Sequence, residues 1–349
     1  MALLWMDGFD WLTDGTNGVN SDAALTRRYT GGDVNMTAGT DGTAVTGFGG
    51  GTAIEFAETS HLIQTPAVAS STSVIMGFAY KQVGNPTTQR IAAFREGATS
   101  HLGLEVTSVG SIVVKRGTTD LTELGLLIVQ DVWYYIELKG TMHDTTGSWE
   151  LRLNGVSIGS DTNVDTQAGG TGVIDNMILR GGSASTSRTI YDDWYFADTS
   201  GSDNNDFLGV IKVKSMHPDT DGDLEDWTTS TGTDSTALID ELSPADDDTT
   251  YIESSTTADT TLANYASVPS GTASIKGIVI STHARTTDAT NFDLINTVKQ
   301  GGTEYPQSAQ TISNQTYAHY DNIIENDPNT TTAWTESGLN SVQTGVEVG

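Results

Sequence analysis

The sequence predicts an all-β protein of two successive domains, and three observations carry that expectation. Apolar and polar residues alternate at a period of two along most of the chain. The uncharged polar residues are mainly Thr, Ser, Asn and Gly, which favour strands and turns over helices. No long amphipathic helical stretch interrupts the alternation. At 349 residues the chain exceeds one typical domain, and 36% apolar residues supply enough material for a core.

Taken in order, "GFGGGTA" (47–53) reads as a turn before the strand "AIEF". It lacks the Gly-Lys-Ser/Thr ending of a phosphate cradle, and no helix follows it. In "SVIMGFAYKQV", Val74, Met76, Phe78 and Tyr80 share one face, as do Leu102, Leu104 and Val106 in "HLGLEV", which "SIVVK" follows. The stretch 132–155, "VWYYIELKGTMHDTTGSWELRLNG", is two strands around a polar turn. Tyr134, Ile136 and Leu138 point one way, and Trp149, Leu151 and Leu153 repeat the pattern. Asn154-Gly155 suits a type I′ turn, which needs positive φ at both central residues. Further strands read at "GVIDNMILRG" and "TIYDDWYFAD", and Trp133, Trp149 and Trp194 are expected in the core.

The polar stretch 197–209 has the composition of a connection and places a boundary near residue 203, giving domains 1–200 and 205–349. After it, "FLGVIKVKSM" reads as a new strand with Ile211 and Val213 on one face. A Thr/Asp/Ser-rich region, 219–265, carries isolated anchors at Trp227, Leu238, Tyr251 and Tyr265. Strands resume at "ASIKGIVISTHART" and "FDLINTVKQGG". The last segment holds at most one short helix, capped by Asp327 or Asn329 and stopped by Gly345.

Acidic residues outnumber basic ones 45 to 16, for a net charge of -29. Such a surface repels phosphate backbones and anionic membranes, and the nearest approach to a basic stripe is the pairs Arg27-Arg28 and Lys115-Arg116. Nucleic-acid binding is therefore not expected. There is no cysteine, so burial and subunit contacts must hold the fold. The opening "MALLWMDGFDWL" lacks a basic n-region and carries Asp7 and Asp10 in its apolar run, unlike a signal peptide. No apolar run reaches the roughly 20 residues of a membrane span. The expectation is a soluble protein made in the cytosol, without membrane insertion.

Two resemblances follow from these residues. "DVWYYIELKGTMHDTTGSWELRLNGVSIG" resembles the back half of a concanavalin A-like jelly roll of the laminin-G/pentraxin type. "TIYDDWYFAD" is similar to that family's closing strand and "LLWMDGFD" to its N-terminal strand, so the likeness spans about residues 1–198. The join to "NDFLGVIKVKSM", the stretch "DWTTSTGTDSTALIDELSPADDDTTYIESS" and the terminal "GLNSVQTGVEVG" resemble tailed-bacteriophage virion proteins. The resemblance implies a concanavalin A-like sandwich followed by a smaller β-sandwich-type assembly domain. It also implies a non-enzymatic structural role in a tail, fibre or head decoration, with host-surface attachment as part of it. The implied partners are other virion proteins, copies of this chain in threefold or sixfold array, and a host-surface glycan. A free carbohydrate-binding module and a glycoside hydrolase are the alternatives.

Chemistry-bearing patterns are sparse. Sandwich glycanases need carboxylates spaced as Glu-x-Asp-x-x-Glu, with a retaining pair about 5 Å apart. The nearest pairs here, Glu55 with Glu58 and Asp192 with Asp193, point to opposite faces of a regular strand. His61, His101, His143, His217, His283 and His319 form no HExxH or close pair, and no GxSxG elbow occurs. In "HPDTDGDLED", Asp219, Asp221 and Asp223 alternate around Gly222, the one candidate calcium loop. It departs from the EF-hand pattern, because the glycine falls early and Ser230 occupies the twelfth position. An exposed acidic turn leading to Trp227 is the simpler reading, as it is for "PADDDTTY" (244–251). No other cofactor is expected.

Overall fold

The computed structural model describes residues 2–12, 25, 27–29, 42–56, 61–182, 187–241, 245–268, 274–313 and 315–349. The chain is all-β and divides into two compact units, Met1–Ser215 and Met216–Gly349.

Strands of the first unit are β1 (Leu3–Asp7), β2 (Gly42–Thr46), β3 (Thr52–Phe56), β4 (Leu62–Gln64), β5 (Ser73–Gly84), β6 (Gln89–Glu96) and β7 (Thr99–Val106). They continue as β8 (Ser111–Arg116), β9 (Thr119–Leu127), β10 (Trp133–Thr141), β11 (Gly147–Leu153), β12 (Val156–Val164), β13 (Asn176–Arg180) and β14 (Ser187–Asp198). One sheet has the order β12-β11-β10-β5-β14-β3-β2, with β1 also pairing β14; the other runs β4-β13-β6-β7-β8-β9. All pairings are antiparallel, and the inner faces of the two sheets meet in one core.

Period two explains who faces that core. Val74, Met76, Phe78 and Tyr80 of β5 bury with Ile136 and Leu138 of β10, Leu151 of β11, and Leu102, Leu104 and Val106 of β7. Trp149 and Trp194 are buried as expected. Trp133 is not: it shares parity with Tyr135 and lies half-buried on the outer face, with the Lys81 ammonium 4.8 Å from its ring centroid. Asn154 (φ 52°) and Gly155 (φ 79°) form the tight turn between β11 and β12 that the sequence predicts.

The segment after β14 corrects another expectation. Residues 207–217 form no strand, and the boundary expected near residue 203 falls inside the first unit. This stretch instead lies along the outer face of the eight-stranded sheet, where side chains accept its backbone N–H groups.

The second unit contains β15 (Pro218–Glu225), β16 (Thr228–Thr229), β17 (Ile252–Glu253), β18 (Thr260–Tyr265), β19 (Ile278–Ala284), β20 (Phe292–Gln300) and β21 (Thr303–Pro306). It continues with β22 (Gln310–Ile312), β23 (Ala318–Ile324), β24 (Asn326–Asp327), β25 (Thr332–Ala333) and β26 (Gln343–Val348). Its main sheet runs β15-β18-β26-β20-β21, with β22 on β20. The separate β19-β23 ladder packs on it through Ile280, Ile324 and Val298. The short helix near the C-terminus is α1 (Glu336–Leu339), but its cap is Thr335, whose side chain accepts from the Gly338 N–H. Gly345, expected to stop the helix, sits inside β26, where a Cβ would come within 1.9 Å of the Thr261 carbonyl oxygen. Among the described residues no helix is long and apolar enough to cross a membrane.

Candidate functional site: a cationic groove on the six-stranded sheet

Four adjacent strands, β13, β6, β7 and β8, carry the site. Because Leu104 and Val106 point inward, Glu105 points outward; because Ile112 and Val114 point inward, so does Lys115 outward. The same parity exposes Arg90 beside core residue Ile91 and Arg180 beside core residue Leu179. Arg90 stands directly opposite Glu105 in the β6–β7 ladder. With Thr88, Gln89, Thr118 and Gly181 these residues line a groove of about 380 Å³. That volume falls in the lower part of the roughly 300–1,000 Å³ range of small-ligand sites.

The groove is electropositive on an acidic chain: three of its lining residues are cations and one is a carboxylate. The Arg90 guanidinium donates to the neutral carbonyl of Gly117. Burial pulls Arg90 below its ordinary value, Glu105 offsets part of that, and the charges of Arg180 and Arg95 lower it further. Lys115 lies 3.1 and 3.2 Å from the two Glu105 oxygens and 2.8 Å from Asp120 Oδ1. Burial lowers the ammonium, but Asp120 and Glu105 together outweigh it and hold Lys115 above the usual lysine value. Lys115 is thereby a fixed cation, unsuited to accept a proton. In the sequence Lys115 stands out as half of the basic pair Lys115-Arg116, but Arg116 pairs with Asp165 instead of joining the groove. Arg90 and Arg180 are 90 residues apart and carry no local signal.

The opposite outer face is closed by the chain itself. Residues 206–214 form a strap over the eight-stranded sheet. The Leu208 N–H donates to the Tyr195 hydroxyl (3.1 Å), and the Gly209 N–H and Tyr195 hydroxyl both donate to Glu137 Oε1 (2.8 and 2.7 Å). Val213 N–H donates to Asp193 Oδ1 (2.8 Å), Lys212 Nζ lies 3.0 Å from Asp193 Oδ2, and Lys214 reaches Asp10 at 2.9 Å. Phe207 lies under the Arg152 guanidinium, 4.0 Å from its ring centroid.

The acidic pair Asp192 and Asp193 belongs to this closed face. A bulge in β14 and a positive φ of 45° at Asp193 break the alternation that would set them on opposite sides. Asp192 accepts the Phe48 N–H (2.6 Å) and the Asp193 N–H (2.8 Å). Burial, followed by the charge of Asp193, pushes Asp192 up to about 8, and burial raises Asp193 as well. Glu55 is held by Arg188 at 2.5 Å, while Glu58 lies outside the described residues. Gly49, Gly50 and Gly51, with φ of 70°, 100° and 82°, make the predicted turn between β2 and β3.

Asp219, Asp221 and Asp223 do not wrap a common centre. They lie on β15, a strand where the sequence suggested a turn, and each of the last two has its own protein partner. Asp221 Oδ1 accepts from Ser235 Oγ (2.8 Å), Thr236 N–H (2.8 Å) and Thr236 Oγ1 (2.6 Å), and Asp223 pairs with Lys299 at 3.1 Å. Asp248 of the second acidic run holds Arg285 at 2.6 Å. Among the described residues no group of three or more His, Asp or Glu gathers as a metal site. The fold does bring together two histidines that the sequence leaves apart: His283 and His319 face each other across β19 and β23, ring centroids 4.8 Å apart.

No family model matches this chain, and no curated protein matches it. Solved structures similar to it include the endo-β-1,4-glucuronan lyase of the fungus Trichoderma reesei, at 13% identity and TM-score 0.36, covering 45% of this chain and 87% of that one. Domain 4 of AbnA, a GH43 extracellular arabinanase from Geobacillus stearothermophilus, in complex with arabinotriose, matches at 15% identity and TM-score 0.37, covering 56% and 93%. The Ruminococcus gnavus IT-sialidase CBM40 bound to α2,3 sialyllactose matches at 16% identity and TM-score 0.28, covering 36% and 75%.

Proposed function

We propose that this chain is a non-enzymatic attachment protein whose first unit binds carbohydrate in the groove of the six-stranded sheet. The observation that carries the reading is the groove itself, whose lining includes the polar residues Arg90, Arg180, Thr88 and Thr118. Guanidinium and hydroxyl donors match the ring oxygens and hydroxyls of a sugar. Two features favour binding over bond cleavage. Glu105, the carboxylate of the lining, is tied to Lys115, and Lys115 is held protonated. The buried Asp192–Asp193 pair sits under the strap and loop residues rather than in an open cleft. The setting, a tailed-phage virion in which copies of the chain assemble with other particle proteins after synthesis in the host cytoplasm, is proposed on the sequence resemblance.

A glycan array probed with the full chain tests the reading. It should show a restricted set of bound glycans, with no release of reducing ends from any polysaccharide. Absence of glycan binding, or cleavage of any polysaccharide, would overturn it.

A further inference from the structure

We infer that the groove selects glycans carrying an oxyanion, a carboxylate or a sulfate, over neutral ones; the inference rests on the reading that the groove binds glycan. Arg90, Arg180 and Lys115 converge on one cavity with Glu105 as the lining carboxylate, on a chain whose net charge is -29. Arg95, buried and bonded to the Gln64 amide oxygen (2.6 Å) and the Ala98 carbonyl (2.7 Å), adds a further positive charge close enough to depress Arg90. Clustering cations costs free energy through mutual repulsion, and a bound anion relieves it. A guanidinium presents two parallel N–H groups to a carboxylate or sulfate, and such charge-assisted pairs are about twice as strong as neutral hydrogen bonds. A neutral sugar gains none of this. It also leaves Arg90 with the Gly117 carbonyl as its hydrogen-bond acceptor.

Glu105 lies between two of the cations: its two oxygens face Lys115, and it stands opposite Arg90 across the β6–β7 ladder, so Arg90, whose guanidinium donates to a neutral carbonyl, is where an added oxyanion finds its donor. Thr118, exposed on the rim, is then a position where charge can be changed without removing an internal bond of the groove.

The test is calorimetric titration of the full chain with three probes: trigalacturonate, its carboxyl-reduced counterpart, and a sulfated neutral trisaccharide. The carboxylated or the sulfated probe should bind at least roughly tenfold more tightly than the reduced one, the order expected from one charge-assisted pair; which of the two binds identifies the oxyanion. Arg90→Gln and Thr118→Glu should each weaken the anionic probe by about tenfold or more, and each should weaken it more than it weakens the neutral probe. The Thr118 variant keeps the test valid should the Arg90 variant misfold. Equal binding of the reduced and anionic probes, or no effect of Thr118→Glu on the anionic one, would sink the inference while leaving glycan binding intact. Failure of all glycans on the array and in titration would sink the underlying reading instead.

Discussion

Asp7 shows what a single residue organises. Its Oδ1 accepts the Phe9 N–H (2.8 Å) and the Trp11 indole N–H (2.9 Å), and its Oδ2 accepts from Arg28 Nε (2.8 Å) and the Tyr29 hydroxyl (2.5 Å). Both members of the ion pair are buried. Asp7→Ala should cost about 3–5 kcal/mol of unfolding free energy in urea, because it removes the carboxylate from a buried ion pair and three further hydrogen bonds; a loss below about 1 kcal/mol would show the network to be dispensable. Asp192 makes a pH prediction. Held up to about 8, it keeps in the folded protein a proton that the unfolded chain releases near pH 4. Between those values the native state binds more protons than the unfolded one, so stability from this group is present at low pH and is lost as pH rises toward 8. Asp192→Asn should therefore flatten the stability slope between about pH 5 and 8, and parallel slopes for parent and variant would refute the raised value. Neither residue was legible in sequence as anything but an interruption of an apolar run or a poor catalytic pair. Burial decides both, and burial depends on which distant segments arrive.

At the scale of elements, the strands of the first unit were readable because alternation and burial coincide there, as in β5, β7, β10 and β11. The strap was misread for the same reason: Ile211 and Val213 alternate like a strand, but Asp193, Glu137 and Tyr195 accept its N–H groups where a neighbouring strand would. The groove was illegible because its cations come from separate strands and meet only through sheet order β13-β6-β7-β8. The strap also explains Gly8, where a Cβ would lie 1.9 Å from the Val213 carbonyl oxygen. Gly8→Ala should lift the strap and destabilise the first unit by about 1–3 kcal/mol, the range of overpacking. Trypsin should then cut at Lys212 and Lys214 severalfold faster than in the parent chain; an unchanged cleavage rate would mean that the strap is not held there.

At the scale of the whole molecule, a charge of -29 opposes self-association through repulsion that salt screens, with a Debye length of about 10 Å at 0.1 M and about 3 Å at 1 M. The ladder β19–β23 pairs Ile278 with Ile324 and ends in edges suited to a neighbouring copy. Sedimentation velocity should find a monomer or weak associations at about 0.05 M salt and a symmetric homo-oligomer toward about 1 M. A monomer throughout would count against assembly through copies of this chain.

The strap has one more consequence, and it is mechanical. A pull on the chain beyond Ser215 meets the fastenings in order: Lys214 on Asp10, then Val213 and Lys212 on Asp193, then Gly209 on Glu137 and Leu208 on Tyr195. Each fastening that yields releases slack before the sandwich is loaded. Residues 206–214, drawn straight at about 3.3–3.6 Å per residue, span roughly 30 Å in all, and the slack released is that length less the distance the strap already covers. The strap thus peels from the first unit one fastening at a time, ahead of the hydrogen-bonded sheet beneath it.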